Sequence, residues 1–460
     1  MSFYDAYVGP GQIYATVSSA LNDSKTNVCV VGNTDEINSW RIYGGEIAVT
    51  IMPDATVYYH GTDDFIVSDE FIPTFFFTVF GGTIIYESAG LLTNTSTFKG
   101  SLVKLDYITI NSSYPSIGIS SQNIVLNECS MNINALDLTL SSNVNMTGNT
   151  FIGNVISTST SNVVTMQSNI VYGSIILKNN PELIRLKSNT IGYLNIYGDI
   201  DNMLITSNII SYAVSDEMTI TNSIISTNTI NVWDLKCKLV LCTLSSNTIN
   251  SNVYIHDITD TYISDNSMLD LYIGSDSLEI PSMSNSTISG NTTTLIYINS
   301  GNNDSNVISN NTMSSLVVEG NVIDLTIRNN VCPMIELRGT VYESHMENNN
   351  TNTITLLELM DSTVITEEKD SVITLKDVNR SSIMNNFGCK FKCNYFKRSS
   401  FALNYSDLTL DKCKYSQVVH NNSNIIINCC NRSIVQSNIG KIRVKGAKKS
   451  IIDSNISIGC

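Results

Sequence analysis

Charged side chains are scarce in this sequence: Asp, Glu, Lys and Arg make up 15% of 460 residues, well under the usual quarter, while Asn, Ser and Thr fill the gap. The polar surface is therefore mostly uncharged. A stretch of about 20 apolar residues able to span a bilayer is also missing. The most apolar run, Phe71 to Phe80, is too short and is interrupted by Pro73. Met1-Ser2-Phe3-Tyr4-Asp5 lacks the basic start and apolar core of a secretory signal. A soluble, non-exported protein without a transmembrane segment is expected.

Chemistry-bearing motifs are equally thin. The 11 cysteines are odd in number and irregularly spaced, in a chain large enough to build a core without staples, so they read as buried free thiols. Cys389/Cys393, Cys413 and Cys429-Cys430 match no zinc spacing, and neither a metal nor a cofactor is expected. His60, His256, His345 and His420 are scattered, with no His-x-x-x-His pair and no serine in a Gly-x-Ser-x-Gly setting. They read as exposed or core-edge side chains.

What the sequence does have is a repeat. Asn recurs in a Ser/Thr/Asn-rich frame at Asn149, Asn169, Asn189, Asn208, Asn228, Asn247, Asn266, Asn291, Asn311, Asn330 and Asn349, at steps of 19 or 20 residues and one of 25. Three residues before each lies an apolar side chain, from Met146 to Met346. Others follow at two, five and seven residues, as in Ile191/Leu194/Ile196 and Met313/Leu316/Val318. The last step is strand alternation, not helical period. Such a unit has room for short strands and tight bends but not for a helix plus a strand, and it lacks the Leu-rich consensus of leucine-rich repeats. The reading is an all-β, right-handed parallel β-helix with 19–20-residue coils. Identical positions then stack at about 4.8 Å, and inward Asn side chains at the bends form a structural ladder, each carboxamide donating and accepting.

The frame weakens after Asn349, where Glu367 takes the expected position, and returns at Asn386, Asn438 and Asn455. The solenoid is expected from about residue 90 onward, on the order of 80 Å long by the strand spacing. The 25-residue step marks a bulged loop, Gly274 to Ser286, read as a tolerated insertion or a contact site. Phe71 to Phe80 reads as a buried early strand, or an exposed aromatic patch for oligomerisation.

Near the N-terminus, Gly11-Gln12-Ile13-Tyr14-Ala15-Thr16-Val17-Ser18-Ser19-Ala20-Leu21-Asn22 leads into Asn27-Val28-Cys29-Val30-Val31-Gly32. Thr16 can cap a short helix whose Val17, Ala20 and Leu21 share one side. This opening and the coil pattern resemble the pectin-lyase-like superfamily of right-handed β-helices, in which the helix covers the open end of the solenoid. The resemblance implies the fold but not the function, since the superfamily includes polysaccharide lyases, glycoside hydrolases, tailspikes and non-catalytic virion proteins.

The residues do not assemble that superfamily's catalytic sets. Asn33-Thr34-Asp35, His60-Gly61 and Asp63-Asp64 occur as strings, but out of the polygalacturonase order, and Lys441-Ile442-Arg443 inverts the basic motif. Glu367-Glu368-Lys369-Asp370, the one dense acidic cluster on the solenoid, reads as an exposed turn.

Charge is divided along the chain. Residues 376–460 hold 14 Lys+Arg against 4 Asp+Glu, and residues 1–375 hold 12 against 37, so a +10 tail follows a −25 body. Three regions are expected: residues 1–90 as N-terminal cap and lead-in strands, 91–375 as an acidic β-helix, and 376–460 as basic coils of the same solenoid. Lys390, Lys392, Lys397, Arg398, Lys412, Lys414, Lys441, Arg443, Lys445, Lys448 and Lys449 form a basic end suited to partner docking. Phe391, Tyr395 and Phe396 among them can stack on bases or cover the last coils. The acidic body repels phosphate, which ranks protein docking above nucleic acid. The expectation is a non-catalytic docking β-solenoid, resembling β-helix virion proteins of large DNA viruses, in the virion or host cytoplasm, binding other virion proteins or copies of itself. The alternative is a carbohydrate-active enzyme or glycan-binding tailspike.

Overall fold

The computed structural model describes residues 3–43, 45–68, 75–95, 102–138, 141–157, 163–178, 182–274, 282–365, 371–384 and 386–457. The protein is an all-β parallel solenoid with two compact units, Met1–Leu235 and Lys236–Cys460.

Each coil of the first unit places an apolar side chain in the same inward column. Val28, Val49, Val79, Leu105, Leu126, Met146, Met166, Leu186, Ile205 and Ile225 stand in successive parallel register. All are buried. The residue three before each Asn is thus the core column itself, and it runs back well past Asn149. Coiling begins at Ala6–Val8, paired with Asn27–Val30, not near residue 90. The early coils are longer and uneven, so a search at 19–20 residues passes over them. Within them Phe75–Phe80 alternates: Phe75, Phe77 and Val79 are buried, while Phe76 and Phe80 are exposed. Residues 71–74 of that run lie outside the described residues.

The expected helix spans Val17–Asn22, with Thr16 Oγ1 accepting from the Ser19 N–H at 3.2 Å and Val17, Ala20 and Leu21 buried. Its first turn is satisfied from the following coil. The buried Glu36 carboxylate accepts from the backbone N–H groups of Val17 and Ser18 and from the Ser18 hydroxyl at 2.8 Å.

The second unit continues the inward-column logic from Leu244 through Ile263, Ile288, Ile308, Ile327 and Met346 to Val364, Ile383, Phe401, Val418 and Val435. The long step falls between Asp270–Ile273 and Ser282–Ser284, and residues 275–281 of that loop lie outside the described residues.

The Asn ladder is present in both units. Asn169 is typical: its Oδ1 accepts from both the backbone N–H and the Nδ2 of Asn149 at 2.9 Å, and its own Nδ2 donates to the Met146 carbonyl at 2.9 Å and to Asn189 Oδ1 at 3.0 Å. Asn149 to Asn228 are linked in this way in the first unit. In the second unit the series Asn247, Asn266, Asn291, Asn311, Asn330, Asn349 does the same. A further run, Asn386–Asn404–Asn421–Asn438–Asn455, contains two members, Asn404 and Asn421, that a 19–20-residue frame misses.

A second ladder holds the bend at the other end of the same short strand, as Ser344 and Asn349 do on either side of His345–Glu347. Ser344, Ser362, Ser381, Ser399, Ser416, Ser433 and Ser450 stack so that each backbone N–H donates to the hydroxyl on the next coil at 3.0–3.3 Å. It spans the interval between Asn349 and Asn386, where Asn leaves the frame. Glu367 and the acidic turn around it lie outside the described residues.

Candidate docking face

The residue just before each of these serines occupies the left-handed region and projects outward. In chain order this column of the second unit reads Asp260, Asn285, Ser305, Asp324, Glu343, Asp361, then Arg380, Arg398, Tyr415, Arg432 and Lys449, with φ between 47° and 55° throughout. The register is carried by the strands alongside. Thr259, Ser284, Asp304, Ile323, Tyr342, Met360, Asn379, Lys397, Lys414, Asn431 and Lys448 pair in succession. Two adjacent columns thus form one corner of the solenoid, acidic on one side of the Asp361–Arg380 step and basic on the other.

All 11 basic residues expected to form a docking end are exposed, and the structure sorts them. Lys397, Arg398, Lys414, Lys448 and Lys449 lie on this corner, and Lys412 stands in the next outward column. Lys392 and Arg443 share a column with Thr374, Thr409 and Ile426, in the same sheet as the strand Phe387–Lys397 that runs into the corner. Lys390 stands in register with Asp407 on the same sheet. Lys441 and Lys445 flank the last strand of that sheet, Ile442–Val444. The corner also collects Arg380 and Arg432, which sit singly in the sequence and escape a search for basic clusters. Their spacing of 17–18 residues from Arg398, Tyr415 and Lys449 is the signal that finds them.

Tyrosines divide the cations. Lys412 Nζ donates to Tyr395 Oη at 2.8 Å and lies 4.4 Å from the centre of that ring, and the hydrogen bond raises the lysine's pKa. Tyr415 receives Arg432 Nη1 on its hydroxyl at 2.8 Å, with the guanidinium 5.5 Å and Lys414 Nζ 5.1 Å from its ring centre. These contacts order long side chains at an exposed site. Phe391 and Phe396 are buried, so they belong to the core; only Tyr395 of the three aromatics is outside.

Among the described residues, Arg380 alone of the corner cations meets a carboxylate, Asp361 at 2.6 Å. Lys397, Arg398, Lys414, Lys448 and Lys449 have no ion-pair partner there.

Under this face Cys389, Cys393, Cys413 and Cys430 are buried free thiols, with Cys429 exposed. Cys413 faces Cys430 on the next coil, and the hydrogen bond between them pushes the Cys413 thiol up and pulls that of Cys430 down. No group of three His, Cys, Asp or Glu among the described residues has a metal-binding arrangement.

The fragments of a hydrolase pattern are placed as follows. His60 lies 3.0 Å from Glu87 and 3.8 Å from Asp35, all exposed on neighbouring coils. The Asp64 carboxylate accepts from the Leu91 N–H and from Asn94 Nδ2, both at 2.6 Å. Lys441 and Arg443 belong to the other unit. A shallow groove of about 250 Å³ beside the corner is lined by Glu358, Asp377, Asn379, Tyr395 and Lys397, with Glu358 and Asp377 in register on adjacent coils. No family model, curated protein or solved structure matches the chain.

Proposed function

We propose that this β-solenoid is a non-catalytic docking protein that binds an acidic protein surface through its basic corner. The observation that carries the reading is the stacking of Lys397, Arg398, Lys414, Lys448 and Lys449 on two adjacent columns without a carboxylate partner among the described residues. Cations on successive coils about 4.8 Å apart, spread over the two columns, cost repulsion within the molecule, and a matching anionic surface relieves it while steering association. The setting is a virus particle or the host cytoplasm, a proposal supported by the resemblance to β-helix virion proteins. The helix Val17–Asn22 closes the first coil in the same reading.

A second reading has one observation in its favour. Glu358 and Asp377 stand one coil apart in an open groove, and carboxylate pairs at about 5–5.5 Å serve retaining glycosidases. One set of preparations separates the two. The triple variant Lys397→Ala/Arg398→Ala/Lys414→Ala should enter particles about tenfold less than the parent, while Lys441→Ala/Arg443→Ala/Lys445→Ala, outside the two corner columns, loses less. Equal incorporation of the corner variant would refute docking. Release of reducing ends from a polysaccharide panel by the parent protein, lost in Glu358→Gln, would overturn the non-catalytic reading.

A further inference from the structure

The corner that carries the free cations also carries their complement. From Leu241 to Asp361 its two columns contain Asp260, Asp304, Asp324, Glu343 and Asp361 and no Lys or Arg. From Arg380 to Lys449 they contain cations, Tyr415 and Asn431 and no Asp or Glu. The change of sign takes place between two successive coils, at the Asp361–Arg380 ion pair. Asp260, Asp304, Asp324 and Glu343 are exposed. Arg328 and Arg338, the cations nearest in sequence, do not neutralise them: Arg328 is on another sheet, and Arg338 is bonded to Glu319 and Glu336.

A linear strip that is negative along one half and positive along the other is complementary to itself when turned end for end. Side by side in the same direction, two such strips put like charge on like. Rotated by a two-fold axis through the Asp361–Arg380 step, they put Glu343 and Asp324 of one copy against Arg398 and the Tyr415–Arg432 pair of the other, twice over. Such a contact is isologous and closes at two copies. We infer that the acidic surface bound by the basic corner is the acidic half of the same corner on a second copy of this chain, giving an antiparallel dimer. The inference rests on the docking reading and names its partner.

Sedimentation and light scattering of the full chain test it. The dimer should have twice the chain mass at low salt and dissociate as salt shortens the screening length from about 10 Å at 0.1 M to about 3 Å at 1 M. Asp324→Lys/Glu343→Lys should be monomeric, and so should Arg398→Glu/Arg432→Glu. An equimolar mixture of the two should recover the doubled mass, because each contact again joins opposite charges. This recovery also shows that neither variant has merely failed to fold. A parent that stays monomeric at 0.1 M salt, or a dimer that both reversals leave intact, overturns the inference. If the parent is monomeric while the Lys397/Arg398/Lys414 variant still loses incorporation, only the identity of the partner is wrong. If the dimer forms as described and incorporation is unaffected, the corner joins copies of this chain and its proposed part in entering particles falls.

Discussion

A carboxylate buried in a core is normally a cost, and Glu36 shows how a single residue meets it. Its side chain is fully buried, and burial drives its pKa upward, opposed by the hydrogen bonds it accepts from Ser18 and Val17. Those donors are the first N–H groups of the helix Val17–Asn22, which have no partner inside the helix. One residue therefore joins the helix to the following coil. Because its folded-state pKa is raised, its contribution to stability is fully present below the ordinary glutamate value of about 4.3 and is lost as pH rises through the folded value. A carbon-detected NMR titration should place the Glu36 carboxyl above the other glutamates. In Glu36→Gln the stability of the first coils should lose this pH dependence, and an unchanged pH profile would show that Glu36 titrates as an ordinary glutamate.

At the level of the coil, the two bends demand a left-handed residue on every turn, and the sequence supplies it mostly with Ser, Asn, Asp and Gly. Leu403, directly before ladder residue Asn404, is an exception at φ 57° and is largely exposed. A branched Cβ fits that region worst. Leu403→Val should lower stability by about 1–2 kcal/mol, whereas Leu403→Asn should be neutral or stabilising. Urea midpoints for the pair decide it, since both variants lose the same exposed leucine. The same geometry explains what could be read without coordinates. Asn149 to Asn349 were legible because a carboxamide at a fixed step with an apolar residue three before it has one structural use. Asn404 and Asn421 were not, because the coil shortens to 17–18 residues there. The serine ladder was hidden by the abundance of serine, and a hydroxyl that accepts one N–H leaves no compositional mark. The charge split of the chain was visible as a sum. That its two signs share one corner, with Arg380 and Arg432 included, depends on a register that stacks residues 17 to 25 apart.

For the whole molecule, a solenoid in which each coil touches only the coils before and after it has no single cooperative core. Its stability is a sum of rung and interface contributions, so damage should stay near where it is made. Asn311 tests this within the second unit. Its Oδ1 accepts from the backbone N–H and Nδ2 of Asn291, and its Nδ2 donates to the Ile288 carbonyl. In Asn311→Ala these buried groups lose their partner, at about 1–3 kcal/mol for each group left unsatisfied. Amide exchange at Asn291 should accelerate by roughly 10²-fold. Asn421, whose own N–H donates to Asn438 Oδ1 at 3.0 Å several coils on, should keep the protection of the parent. A uniform loss across the unit would mean that its coils unfold together and that the ladder acts as one element. Confinement to the neighbouring rungs would explain how this fold accepts coils from 17 residues upward and an inserted loop without losing its register.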